Sequence, residues 1–298
     1  MTVPDQRGKV VVITGANSGI GKETAVMLAA AGASVLITSR DAERGKAAID
    51  EIVRRSGSDA IAAVDLDLSS FESIRSAAEK ILERCDSIDV LINNAGGILT
   101  ELTTTVEGFE ATLGGNHVGH FLLTDLLLER LRASAPSRVV TLSSIAHRGA
   151  RGIGEDDFFP QAGYNGTRAY AKSKLANLQF ARELARRERE AGSGVTSFAV
   201  HPGGVRTGFG GDGDTGGIVG LGIKLIRGLS ISAESGAAAS VHTATAPGIE
   251  PKSGAYYQRS VAGNYGPVVE AKPTAAARDD EACRELWVLT EKVVAAAS

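Results

Sequence analysis

The chain has 298 residues, 43% of them hydrophobic and 22% charged, which is ordinary for a soluble globular protein and enough for one large α/β domain or two small ones. A formal charge of −3 gives no electrostatic reason to expect nucleic acid or an anionic membrane as partner, and two cysteines make no metal-like cluster and suit a reducing, cytoplasmic setting. Residues 1–9 are polar, without the apolar core of a signal peptide, and no stretch approaches the roughly 18 apolar residues of a spanning helix.

The first predicted strand, residues 9–13, runs into Thr14-Gly15-Ala16-Asn17-Ser18-Gly19-Ile20-Gly21. Glycine at 15, 19 and 21 permits positive φ and lets backbone approach a pyrophosphate with no Cβ in the way. The helix expected over 21–31 then offers free N–H groups and a positive dipole end to phosphate. The spacing is Gly-x-x-x-Gly-x-Gly, not the tighter Gly-x-Gly-x-x-Gly, and a plain strand–helix turn is the alternative. The second strand, 34–38, leads into Ser39-Arg40-Asp41. An acidic residue ending this strand would bind the adenosine ribose and favour NAD(H); Ser39 stands there instead, and Arg40 suits a 2′-phosphate. NADP(H) is therefore favoured over NAD(H), with Asp41 as the counter-argument should the strand run further.

Helical periodicity then alternates with short apolar runs. Helices are expected over 43–55, 70–84, 105–133 and 167–190, and strands over 60–64, 90–93, 139–143 and 196–201. Strands apolar at successive positions belong to a sheet covered on both faces, so the pattern predicts an α/β fold with a doubly wound parallel sheet. With no linker or repeat, residues 1–298 read as a single domain. Residues 208–232 are glycine-rich, with apolar residues such as Ile218 and Leu221, and are expected to form a substrate loop or lid. Residues 278–297 return to helical pattern.

Tyr170 and Lys174 stand one helical turn apart and would project from the same face. Beside a nucleotide-binding turn such a pair can move a proton while a hydride moves, which points to an oxidoreductase. Ser143 and Ser144 end a strand, where either could act or merely cap a turn. Taken alone, Asn116 reads as a helix residue bonding its own backbone. His117 and His120 share a helical face, but no nearby Cys or acidic triad completes a metal site, so packing or hydrogen bonding is expected. His147 is placed either to face substrate or to pack.

Together these segments resemble the short-chain dehydrogenase/reductase family over residues 9–207. The carrying motifs are Thr14-Gly15-x-x-x-Gly19-Ile20-Gly21, Asn93-Asn94-Ala95-Gly96, Ser144, Tyr170 with Lys174, and Pro202-Gly203 with Thr207. The resemblance implies a Rossmann-type fold in which Asn116, Ser144, Tyr170 and Lys174 form the catalytic set. It implies cofactor contacts from Gly15, Asn17, Ser18, Gly19, Ile20 and Gly21, and from Ser39 and Arg40 at the adenosine ribose. Asp67 and Leu68 would meet the adenine; Asn94, Ala95 and Gly96 end the fourth strand at the cofactor; Pro202, Gly203, Val205 and Thr207 would lie against the nicotinamide. Asp89 would steady the sheet. Asn116-His117-Val118-Gly119-His120 and Ser173-Lys174-Leu175-Ala176-Asn177 are most similar to the retinol dehydrogenase and WW-domain oxidoreductase branch.

A family member of this kind interconverts an alcohol and its ketone or aldehyde. Tyr170 would give or take the proton, Lys174 would favour the phenolate and bond the nicotinamide ribose, Ser144 would donate to the substrate oxygen, and Asn116 would orient a water. The expected partner is a small apolar carbonyl or alcohol, and pairing through the long helices carrying Asn116 and Tyr170 would give a homo-oligomer. Two other readings stay open: an NADP(H)-binding sensor or scaffold, and a reductase of carbon–carbon double bonds.

Overall fold

Continuous apolar sequence becomes strand where helices can cover both faces, and Val11, Val12 and Ile13 are wholly buried for that reason. In chain order the elements are β1 (Val10–Ile13), α1 (Gly19–Ala30), β2 (Ser34–Ser39), α2 (Ala42–Ser56), β3 (Ile61–Asp65), α3 (Phe71–Arg84) and β4 (Val90–Asn93). Next come α4 (Ala111–Leu113), a π-helical turn (Gly114–Val118), α5 (Gly119–Ala133), β5 (Ser137–Leu142), α6 (Gly166–Ala191) and β6 (Val195–His201). The chain closes with α7 (Ala233–Thr245), β7 (Tyr256–Arg259), β8 (Val268–Ala271), α8 (Ala275–Arg278) and α9 (Asp280–Ala296). This computed structural model describes residues 2–203, 232–260 and 266–297. Val205, Thr207 and the expected substrate loop, apart from Ser232, lie outside the described residues.

The strands form one sheet in the order β3-β2-β1-β4-β5-β6-β7-β8, parallel throughout except for the β7–β8 pair. One core packs α3, α5, α6 and α9 against one face; a second packs α1, α2 and α7 against the other. The α/β doubly wound fold is thus as the sequence predicts. Because the chain passes from β3 back across to β4, the order reverses between β1 and β4, and a crevice opens at their carboxyl ends. Asp89 pins this switch point from below: its carboxylate accepts from Val10 N (2.9 Å) and Lys9 Nζ (2.7 Å).

Four differences from the sequence reading have local causes. The helix expected from residue 105 begins only at Ala111. Residues 104–110 instead make a turn closed by Thr105 N–H to Phe109 O, and the Glu110 carboxylate caps Thr112 N and Leu113 N. The C-terminal helix is two pieces, because Asp279 caps the start of α9. Strands β7 and β8 are four residues each, too short and mixed in polarity to stand out. Helix α7 is made largely of Ala, Gly and Ser, so it has little amphipathic pattern, yet most of it is buried between α1 and the sheet. No helix among the described residues is long and apolar enough to cross a membrane.

Candidate active site

The turn after β1 is built by contacts that exclude side chains. Gly15 has φ +64, and a Cβ there would come within 2.8 Å of Ala95; a Cβ on Gly21 would come within 2.5 Å of Asn94 Nδ2. Asn94 Nδ2 donates to Thr14 O (2.8 Å) and Gly15 O (3.2 Å), clasping the turn to the end of β4. Two of the glycines thus serve close packing of turn on strand first, and access to the crevice as a consequence. At the start of α1, Ser18 makes no side-chain cap and the first turn holds no acidic residue. Its N–H groups and dipole are left for an anion.

These groups open on a cavity of about 660 Å³, within the range of small-ligand sites. Asn17, Gly19 and Ile20 line it beside Gly15, Ser18 and Gly21. Asp67 and Leu68 form a side wall, with the Asp67 carboxylate accepting from Ser69 N (2.9 Å) and Ser69 Oγ (2.6 Å). At the far wall lie Asn94, Ala95 and Gly96, and the deep end is closed by Asn116, Tyr170, Lys174 and Pro202. Gly203 follows with φ +88, just before the described residues break off.

The strand β2 stops at Ser39, whose buried hydroxyl donates to Asp41 O (2.9 Å), and the Asp41 carboxylate caps α2 through Arg44 N (2.7 Å) while Asp41 still lines the cavity. Arg40 and Arg44 both line the cavity, and neither guanidinium has an ion-pair partner among the described residues. Arg44 was not foreseen; its signal was the position four residues after Arg40, in the first turn of a helix that starts at the cavity rim. An uncapped helix end and two guanidinium groups on one cavity fit a phosphorylated dinucleotide.

At the deep end, α6 is started by Asn165, whose side chain accepts from Arg168 N (2.9 Å), and it carries Tyr170 and Lys174 on one face. Lys174 is 4% exposed; its Nζ donates to Leu142 O (3.2 Å) and lies 5.5 Å from the centre of the Tyr170 ring. Burial pulls its pKa down to about 8. Burial pushes the Tyr170 phenol up to about 12, and a hydrogen bond from Ser144 draws it partly back. Burial thus favours the protonated phenol, and Lys174 Nζ stands over the ring instead of bonding the hydroxyl. Here Tyr170 holds its proton.

The two serines separate cleanly. Ser143 is buried and donates to Lys174 O (2.7 Å), fastening α6 to β5. Ser144 Oγ accepts from Ala146 N (3.2 Å), which leaves its hydroxyl proton for the tyrosine. Asn116 bonds a different loop, not its own helix: Oδ1 accepts from Gly97 N (2.9 Å), and Nδ2 donates to Gly97 O (2.8 Å) and Ser173 Oγ (3.0 Å). A Cβ on Gly96 would meet Asn116 Oδ1 at 2.9 Å and Lys174 Nζ at 3.3 Å, so both side chains crowd the face of this glycine. His147 is buried against backbone, with Nδ1–H donating to Ser144 O (2.6 Å) and Nε2 accepting from Thr274 N (3.4 Å). His117 and His120 diverge to Thr290 (3.0 Å) and Thr14 (2.8 Å).

The short chain dehydrogenase family model matches residues 9–214. Human retinol dehydrogenase 12 is 45% identical over 263 residues, which cover 84% of this chain and 77% of that protein. Human retinol dehydrogenase 13 is 40% identical over 297 residues, covering 98% and 86%. Among solved structures, an uncharacterized protein from Mycobacterium paratuberculosis superposes with a TM-score of 0.79 at 35% identity, over 98% of this chain and 96% of that one. The Pseudomonas aeruginosa RhlG/NADP active-site complex gives 0.55 at 30% identity, over 70% and 76%.

Proposed function

Because the chain belongs to the short-chain dehydrogenase family, we propose that it is an NADP(H)-dependent oxidoreductase that interconverts an apolar primary or secondary alcohol and its aldehyde or ketone. As a family member it is an enzyme that acts on CH–OH groups of small molecules with a nicotinamide cofactor. The observation that carries the finer reading is the proton-holding Tyr170, bonded by Ser144 and one turn from Lys174, at the opposite end of one cavity from Arg40 and Arg44.

When bound, the nicotinamide supplies or accepts the hydride. In the reducing direction Tyr170 gives its phenolic proton to the carbonyl oxygen, and the Ser144 hydroxyl turns from the tyrosine to donate to that same oxygen. Lys174, as a cation, offsets the charge left on the phenolate. The free protein is therefore expected to lose kcat/KM for carbonyl reduction as pH rises through about 8, where Lys174 gives up its proton. A pH–rate profile flat from 6 to 10 would contradict this role.

Selection of NADP(H) is supported by two guanidinium groups on the cavity with no ion-pair partner among the described residues, by the engagement of Asp41 in the helix cap, and by the NADP in the RhlG complex. An apolar substrate is supported by Ile98 and Leu99 on the cavity wall, by Ile145, 57% exposed beside Ser144, and by relatives named retinol dehydrogenases. Retinoids are thus first among the aldehydes to try. Initial rates with NADPH and NADH test the cofactor assignment. Arg40→Ala is expected to raise KM for NADPH about tenfold or more and leave that for NADH nearly unchanged. Equal effects on both cofactors would remove Arg40 from 2′-phosphate recognition.

A further inference from the structure

His120 lies two residues past the π-helical turn, in the first turn of α5, and is buried. Its ring spans two groups: Nε2 is 2.8 Å from Thr14 Oγ1, and Nδ1 is 3.0 Å from the main-chain oxygen of Asn116. Hydrogen-bond accounting fixes which nitrogen carries the proton. Thr14 Oγ1 accepts from Asn94 N (2.9 Å) and Ala95 N (3.0 Å), which fills both lone pairs. Its one proton must be donated, and His120 Nε2 is far closer than Ile92 O at 3.4 Å. Nε2 therefore accepts, and Nδ1–H donates to the Asn116 carbonyl.

We propose that His120 is a positioning residue that joins the nucleotide turn to the proton-handling end of the site. The proposal rests on the roles given above to Asn116 and Lys174. Thr14 immediately precedes Gly15, and its hydroxyl gathers the ends of β1 and β4; the Asn116 side chain bonds Gly97 and Ser173, the residue before Lys174. One imidazole holds both in register. The π turn beside it inserts one residue into the helix, and such turns gather at functional sites. Burial pulls the His120 pKa down to about 4, so the ring stays neutral and keeps this tautomer over the working pH range.

Two variants separate the ends of the bridge. His120→Phe keeps an aromatic ring, somewhat larger, and removes both bonds. His120→Asn has an amide nitrogen as far along the side chain as Nδ1, so it keeps a donor for the Asn116 carbonyl and cannot reach Thr14. The Phe variant is expected to lose about 10- to 100-fold in kcat and about tenfold in NADPH affinity. The Asn variant is expected to recover most of kcat while NADPH affinity stays weak. An Asn variant no better than Phe in kcat, or a Phe variant that matches the wild type, overturns the proposal. Nitrogen-15 NMR of the wild-type imidazole gives a reading independent of turnover: Nδ1 protonated and Nε2 an acceptor supports it, and the opposite tautomer refutes it. If the wild type reduced no carbonyl compound, the proposed function would fail, and the NMR and NADPH-binding results would still judge His120.

Discussion

Replacing Tyr170 with phenylalanine is expected to lower kcat for carbonyl reduction about a thousandfold, while the dissociation constant for NADPH changes less than about threefold. The substitution removes one oxygen and leaves the ring on which Lys174 lies, 5.5 Å from its centre, so the wall of the cavity keeps its shape. What disappears is a phenol that holds its proton through neutral pH and is bonded by a serine hydroxyl. Single-turnover kinetics with fluorescence-detected NADPH binding separate the two quantities. A loss of binding that matched the loss of rate would make Tyr170 a structural wall residue instead of the acid.

The largest effect on stability is expected at Trp287, the single tryptophan of the chain. Its ring stacks on Phe180 (5.7 Å, 5° between planes), meets Phe121 edge-on (4.8 Å), and carries Arg187 above it at 4.4 Å. Helix α9 is held across α5 and α6 by this cluster, with Thr290 reaching His117 beside it. Trp287→Ala leaves a cavity that these aromatic neighbours cannot fill, at a cost of about 3–5 kcal/mol. Urea unfolding followed by circular dichroism measures it, since the fluorophore itself is gone. A loss below about 1 kcal/mol would mean that α9 is a loosely attached terminus.

The fold was legible because parallel strands buried on both faces are written as unbroken apolar runs, and β1 to β6 fall within two residues of where those runs place them. The site was legible where its residues lie close in sequence or carry unusual backbone demands, as at Gly15 to Gly21 and Tyr170 with Lys174. It was opaque where the answer is a choice between two partners. Asp41 could serve a ribose or a helix cap, and the cap bond to Arg44 N appears only in the structure. Ser143 and Ser144 look alike until one is seen to bond Lys174 O. His120 reads as core histidine because its partner Thr14 is distant in sequence and its tautomer depends on two backbone N–H groups of a third segment. Helix α7 escaped because small residues pack by close approach, which leaves no hydrophobic stripe.

Deuteride transfer tests the central assignment most directly. The protein is incubated with NADPH carrying deuterium at both C4 positions of the nicotinamide and an apolar aldehyde such as retinal, and the product is read by mass spectrometry and NMR. One deuterium per NADPH consumed, on the carbinol carbon of the alcohol and formed about a thousandfold more slowly with Tyr170→Phe, is the predicted result. Deuterium on a former alkene carbon, or unchanged transfer by the phenylalanine variant, would contradict the account.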